Sequence, residues 1–147
     1  MSSPGGIARE CVEGYLYARN PLELLIFRRP PARGSIWVPV SGKVEPSDRD
    51  LEAAVRREVA EETGLRTPIR VTALDWHVTF PAEHGETWRL HAYAVEVDRR
   101  FRPTLSAEHA AFEWVGVAEA RRRLHYEDNR AAVDRLVGRF ERPSESA

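Results

Sequence analysis

A chain of 147 residues is long enough to bury a hydrophobic core and is expected to form a single domain. Its net charge of −1 supplies no field to draw nucleic acid or an anionic membrane, and no apolar run is long enough to span a bilayer. The single cysteine, Cys11, excludes an internal disulfide and reads as buried filler in a reducing compartment, so a soluble cytoplasmic protein is expected.

Met1–Gly6 lacks the basic and apolar regions of a signal peptide and reads as a flexible end. Glu10–Arg19 and Leu22–Arg29 are strand-like runs joined by a turn at Asn20-Pro21. Pro30–Gly34 reads as a loop without regular structure, and Ile36–Val40 as a short apolar segment carrying Trp37 towards Ser41-Gly42. A helix follows. Ser47, Asp48 and Asp50 offer N-cap oxygens, Ser47 and Asp50 have capping-box spacing, and Gly64 can turn left-handed after the last helical turn. Ile69–Phe80 and Thr87–Val97 alternate as strands of a hairpin across Pro81–Glu86. Phe112–Val115 reads as a strand, and Val117–Leu124 and Glu127–Phe140 as helices. The last has Ala131, Val133, Leu136, Val137 and Phe140 as its apolar side, and Glu141–Ala147 reads as a flexible tail. Strands alternating with helices predict an α/β fold, a mixed sheet with helices on both faces, over residues 7–140.

The helix after Asp50 carries an anomaly. At about 100° per residue, Leu51, Ala54, Val55 and Val59 form its apolar stripe, yet Glu58 and Glu62 fall in the middle of that stripe and Glu61 on its flank. Like charges at i,i+4 repel, carboxylates oppose the dipole at a helix C-terminus, and burying them unpaired costs far more than either effect. The simplest compensation is a hard divalent cation with oxygen ligands, Mg²⁺ or alternatively Mn²⁺. The plain alternative is a solvated Glu/Arg helix laced by pairs such as Arg57–Glu61.

The run Arg57-Glu58-Val59-Ala60-Glu61-Glu62-Thr63-Gly64-Leu65 resembles the R-E-U-x-E-E-x-G-U core of the Nudix hydrolase box, U being aliphatic, and Gly42 matches the glycine that opens the box. The segment between Gly42 and Arg57 is one residue longer than the family pattern, and the family's first glutamate is replaced by Asp48 or, in the other register, by Arg49. In the family that glutamate pairs with the box arginine, so the departure argues against an Asp48–Arg57 pair. The resemblance implies the α/β/α sandwich of the Nudix fold and Mg²⁺-dependent cleavage of a pyrophosphate bond. It carries metal-ligand roles onto Glu58 and Glu62, with Glu61 as a further ligand or water-orienting group, the Ser41 carbonyl as another ligand, and Arg57 as part of the catalytic box.

Leu105–Trp114 is similar to a segment of two Nudix branches, the dihydroneopterin triphosphate pyrophosphatases and the asymmetric diadenosine tetraphosphate hydrolases. That likeness makes Glu108 a candidate ligand and general base beside Glu61, and leaves His109 either at a phosphate or satisfied by backbone. Arg28, Arg29 and Lys43, before or within the loop feeding the helix, are candidate phosphate clamps. Trp37, Trp76 and Phe80 are candidates to stack on a base or pterin ring, or equally plain core. Of the 22 basic residues only Lys43 is lysine, a bias that points to coding composition, so Arg99–Arg100 and Arg121–Arg123 read as solvated surface. The expected partner is a small nucleotide-like molecule, bound by a monomer or homodimer. The competing reading is a Nudix-like module that binds a nucleotide with little or no turnover.

Overall fold

The computed structural model describes residues 6–141. The expected flexible ends therefore lie, but for Gly6 and the Glu141 backbone, outside the described residues.

Strand β1 (Arg9–Ala18) turns back through Asn20-Pro21 into β2 (Glu23–Arg28), with Leu16 opposite Leu25. Their pairing covers only three residue pairs, after which the two strands part. The gap is filled by one continuous segment that changes partner at Pro39. Before it, β3 (Trp37–Val38) pairs with β2; after it, β4 (Val40–Lys43) pairs with β1. Proline has no N–H for either ladder, so the switch falls where no donor is lost. This wedge sets Ser41 and Gly42 beside the middle of β1, opposite Glu13 and Val12. The Pro30–Gly34 loop is more ordered than expected: Pro31–Arg33 forms a 3-10 turn, closed by a bond from Arg33 N–H to the Pro30 carbonyl at 2.8 Å.

Helix α1 (Leu51–Thr63) is capped by Asp50, whose side chain accepts from Ala53 N–H at 2.7 Å, and ends at Gly64 with φ of 82°. Of the three cap candidates Asp50 takes the position. Strands β5 (Arg70–Pro81) and β6 (Thr87–Glu96) form the expected antiparallel hairpin. β6 then joins β1 in parallel, from Arg9 opposite Trp88 to Tyr17 opposite Glu96, and β7 (Ala111–Gly116) pairs with the other edge of β2. Helices α2 (Val117–Arg123) and α3 (Glu127–Glu141) close the chain.

β1 is buried on both faces, and its alternation divides the interior in two. Val12 and Leu16 pack with Ala54, Val55 and Val59 of α1, while Tyr15 and Tyr17 pack with Leu124 and with Ala132, Val133, Leu136 and Val137 of the α3 layer. The result is the expected α/β/α sandwich around a mixed sheet. On α3 the buried alanine is Ala132, whereas Ala131 is only half-buried. The arginines read as plain surface do more than expected: Arg99 donates to the carbonyls of Arg19 and Pro21, and Arg123 stacks over Trp37 at 4.3 Å. Among the described residues no helix is long and apolar enough to cross a membrane.

Candidate active site

The inner face of α1 carries two carboxylates, Glu58 at 8% exposure and Glu62 at 3%. Glu61 does not join them. One residue around the helix from Glu62, its side chain is 56% exposed and pairs with Arg57 at 3.2 Å, so the expected trio separates into two inside and one outside. Glu58 lies against Gly42 so closely that a Cβ built there would fall 1.5 Å from Oε2. The glycine is thus the space the carboxylate occupies.

Burial, then the neighbouring Glu62 carboxylate, raises the pKa of Glu58 well above the ordinary range. Burial, then Glu108, pushes Glu62 up to about 9. Its Oε1 lies 2.7 Å from His109 Nε2, whereas Oε2 is buried without a hydrogen-bond partner. His109 is itself buried, its ring 5.0 Å from that of Phe27, and burial lowers it to about 4, which keeps the imidazole neutral. Its Nε2 is satisfied by Glu62 rather than by backbone, while its Nδ1 has no hydrogen-bond partner among the described residues and the residue lines the cleft in front of the carboxylates.

Arg57 organises the approach to the helix. Its Nε and Nη2 reach the two oxygens of Asp48 at 2.9 and 2.8 Å, and Nη2 also donates to the Lys43 carbonyl at 2.9 Å. The Asp48–Arg57 pair that the sequence argued against is therefore present. The extra residue is absorbed in a turn, with Asp48 N–H donating to the Glu45 carbonyl and Glu45 N–H to Asp48 Oδ2, at 2.9 and 2.8 Å. The guanidinium committed in this way does not itself line the cleft, but its Nη1 reaches Oε1 of Glu58 at 3.3 Å.

The cleft in front of these carboxylates has a volume of about 660 Å³. Ser41, Gly42, Lys43, Glu58, Glu62, Glu108 and Arg29 all line it. Four other expected site residues, Glu61, Arg57, Arg28 and Trp37, do not. Arg28 ends β2 between Trp37 and Ala111, and Trp37 is packed against the α3-side core. Of the other aromatic candidates Phe80 lines the cleft, while Trp76 packs on the α3-side core beneath Arg135.

Residues not foreseen complete the cleft. Arg33 reaches it from the 3-10 turn, 3.9 Å from Glu108. Trp88 packs edge-on to Phe80 and lies under the Lys43 ammonium at 4.9 Å. Deeper, the buried Glu13 accepts from Tyr15 Oη at 2.7 Å and from Asn129 Nδ2 at 3.2 Å, with burial pushing its pKa up to about 7. The signal for Glu13 was available: it is the only charged residue between Cys11 and Ala18.

Among the described residues no three His, Cys, Asp or Glu side chains already stand together as a metal cage. The donor set nevertheless suits a hard cation. Two buried carboxylates share the site, one with an unpartnered oxygen, and a positive charge would relieve both desolvation and mutual repulsion.

Residues 14–136 match the NUDIX domain. The chain is 37% identical over 117 residues to an octanoyltransferase of Myxococcus xanthus, a match covering 78% of this chain but only 32% of that protein. It is 30% identical over 99 residues to asymmetrical bis(5'-nucleosyl)-tetraphosphatase of Rattus norvegicus, covering 66% of this chain and 67% of the rat enzyme. In fold it is similar to the dihydroneopterin triphosphate pyrophosphohydrolase of E. coli, with a TM-score of 0.75, 19% identity, and 90% and 98% of the two chains covered. Since the domain match spans both cores and the helix bearing Glu58 and Glu62, the chain belongs to the Nudix hydrolase family.

Proposed function

We propose that this chain is a Mg²⁺-dependent pyrophosphohydrolase, with Mn²⁺ as the alternative ion. Its substrate would be a nucleoside diphosphate-linked compound such as dihydroneopterin triphosphate or a dinucleoside polyphosphate. The observation that carries this reading is the unpartnered, buried Oε2 of Glu62 beside a second buried carboxylate, Glu58, at the wall of a cleft. Such a pair is costly in isolation and is relieved by a cation.

Glu58, Glu62 and the carbonyl of Ser41 would hold the ion, with Glu108 within the same cleft. When bound, the ion supplies charge to phosphate oxygens and acidifies water. Arg29, Arg33 and Lys43 bring cationic groups to the cleft, suited to the phosphate chain. Glu108, half-exposed and close enough to Glu62 to raise its pKa, would take the proton from attacking water. Glu61 is the second candidate for that role, after its side chain leaves Arg57.

The test is a hydrolysis panel with Mg²⁺ and with Mn²⁺, products identified by chromatography. It covers dihydroneopterin triphosphate, diadenosine tetraphosphate, ADP-ribose, nucleotide sugars and common nucleoside triphosphates. Metal-dependent cleavage of one compound well above the rest is expected. Absence of cleavage across the panel would favour the second reading, a nucleotide-binding module with little turnover. The placement of Glu61 outside the cleft is the observation on that side.

A further inference from the structure

Glu13 is a buried carboxylate that the proposed hydrolysis leaves without a task. It sits on the cleft side of β1, where its burial without compensation would be costly. An ionised carboxylate offers about four lone-pair sites. Tyr15 Oη fills one on Oε1 at 2.7 Å, and Asn129 Nδ2 fills one on Oε2 at 3.2 Å.

Both amide hydrogens of Asn129 are spent in this arrangement. Its Nδ2 also donates to Tyr15 Oη at 3.1 Å, and its Oδ1 accepts from Tyr126 N–H at 3.2 Å. The triangle fixes the carboxylate and leaves acceptor capacity on both oxygens. Beside it, Cys11 and Leu90, paired across β1 and β6, give the cleft an apolar floor. Two adjacent acceptors beside that apolar floor complement a flat ring carrying two adjacent N–H donors.

We propose that Glu13, held by Tyr15 and Asn129, reads the ring N–H and 2-amino group of a 2-amino-4-oxo heterocycle, the edge shared by guanine and pterins. Adenine puts a bare ring nitrogen beside its amino group, whose lone pair would oppose the carboxylate. Hypoxanthine has the ring N–H and lacks the amino group. This assignment rests on the proposed function for the phosphate end. Ser41 stands opposite Glu13 in the β1–β4 register, so ring and phosphates would occupy neighbouring parts of one cleft. Glu13 is then a specificity residue, and Tyr15 and Asn129 are positioning residues.

The test is equilibrium binding of GMP, neopterin, IMP and AMP to the full chain in metal-free buffer, followed by calorimetry. GMP, neopterin or both are expected to bind at least about tenfold more tightly than IMP and AMP, the scale of a bidentate base-edge contact. Preference for GMP alone identifies a guanine ligand, and for neopterin alone a pterin. In Glu13→Gln the preference should collapse, with circular dichroism unchanged. Equal binding of all four by the wild-type chain, or none, overturns the assignment without any variant. So does a folded Glu13→Gln that keeps the preference. Should Glu13→Gln fail to fold, Asn129→Ser retains the charge but loosens it; the preference should weaken, and an unaltered preference again overturns the proposal. Because binding is read without metal or turnover, failure of the hydrolysis panel and failure of this assignment are separate results.

Discussion

Glu62 and His109, 47 residues apart in the chain, share a 2.7 Å hydrogen bond in which both partners are buried. The bond joins the last turn of α1 to the loop before β7 and commits one oxygen of Glu62, while the other stays without a partner. The contact fixes the geometry of the site, whereas its acidity comes from burial and from the Glu108 carboxylate beside Glu62.

That acidity predicts a pH dependence of stability. Glu62 keeps its proton up to about pH 9 in the folded chain against an ordinary value of 4.5. Between these values the folded state binds more protons than the unfolded state, so stability falls as pH rises. Glu58, also raised, acts in the same direction. The melting temperature of metal-free protein is expected to fall from about pH 5 to about pH 9, and Glu62→Gln should flatten part of that slope. Mg²⁺ at a hundredfold excess over its Kd should stabilise the wild type by about 2.7 kcal/mol and the variant far less. Turnover should drop by about 100-fold or more, as for the loss of one preorganised electrostatic group. A variant with wild-type turnover and Mg²⁺ response would sink the metal assignment.

Gly42→Ala places a methyl group where Glu58 Oε2 now sits, 1.5 Å away. The carboxylate must leave, and leaving relieves its own desolvation, so the fold should tolerate the change better than the site does. The expected result is a near-normal circular dichroism spectrum with most of the Mg²⁺-induced rise in melting temperature lost. Retention of that rise would mean that Glu58 does not need its place against Gly42.

Asp48→Ala removes two hydrogen bonds from Arg57 and loosens the 43–48 turn. Urea unfolding at neutral pH should show a loss of about 1–3 kcal/mol, the cost of leaving a partly buried polar partner unsatisfied. Arg57 holds the Asp48 carboxyl below its ordinary pKa. Its contribution is therefore present above the unfolded-state value and fades as pH falls through the folded-state value. The two proteins should converge in acid. Equal stability at neutral pH would reduce the pair to a surface contact.

Glu108→Gln separates the base from the ligands. If Glu108 takes the proton from water, turnover should fall by about 10²–10⁴-fold while the Mg²⁺ response of the melting temperature stays close to that of the wild type. An unchanged rate would move the role to Glu61, and Glu61→Gln would then be the slow variant.

Much of this molecule was written locally. The alternation of β5 and β6 and the inward Glu58 and Glu62 follow from periods of two and 3.6 residues, and Gly64 marks the helix end by its residue type, whereas the cap stayed open among Ser47, Asp48 and Asp50 until the fold selected Asp50. The box motif carried the family, because its residues lie within one helix and its preceding loop. Tertiary structure decided what depends on contacts between distant segments. The separation of β1 from β2 admits the wedge that brings Ser41 and Gly42 to α1. The Asp48–Arg57 pair survives an inserted residue because a turn can absorb it. Trp37 faces core while Trp88 reaches the cleft, a difference set by which strand pairs with which. Glu13 gains its partner from 116 residues away, and no local pattern specifies that approach. Spacing fixes which face a side chain takes; only the packing of remote elements fixes what that face meets.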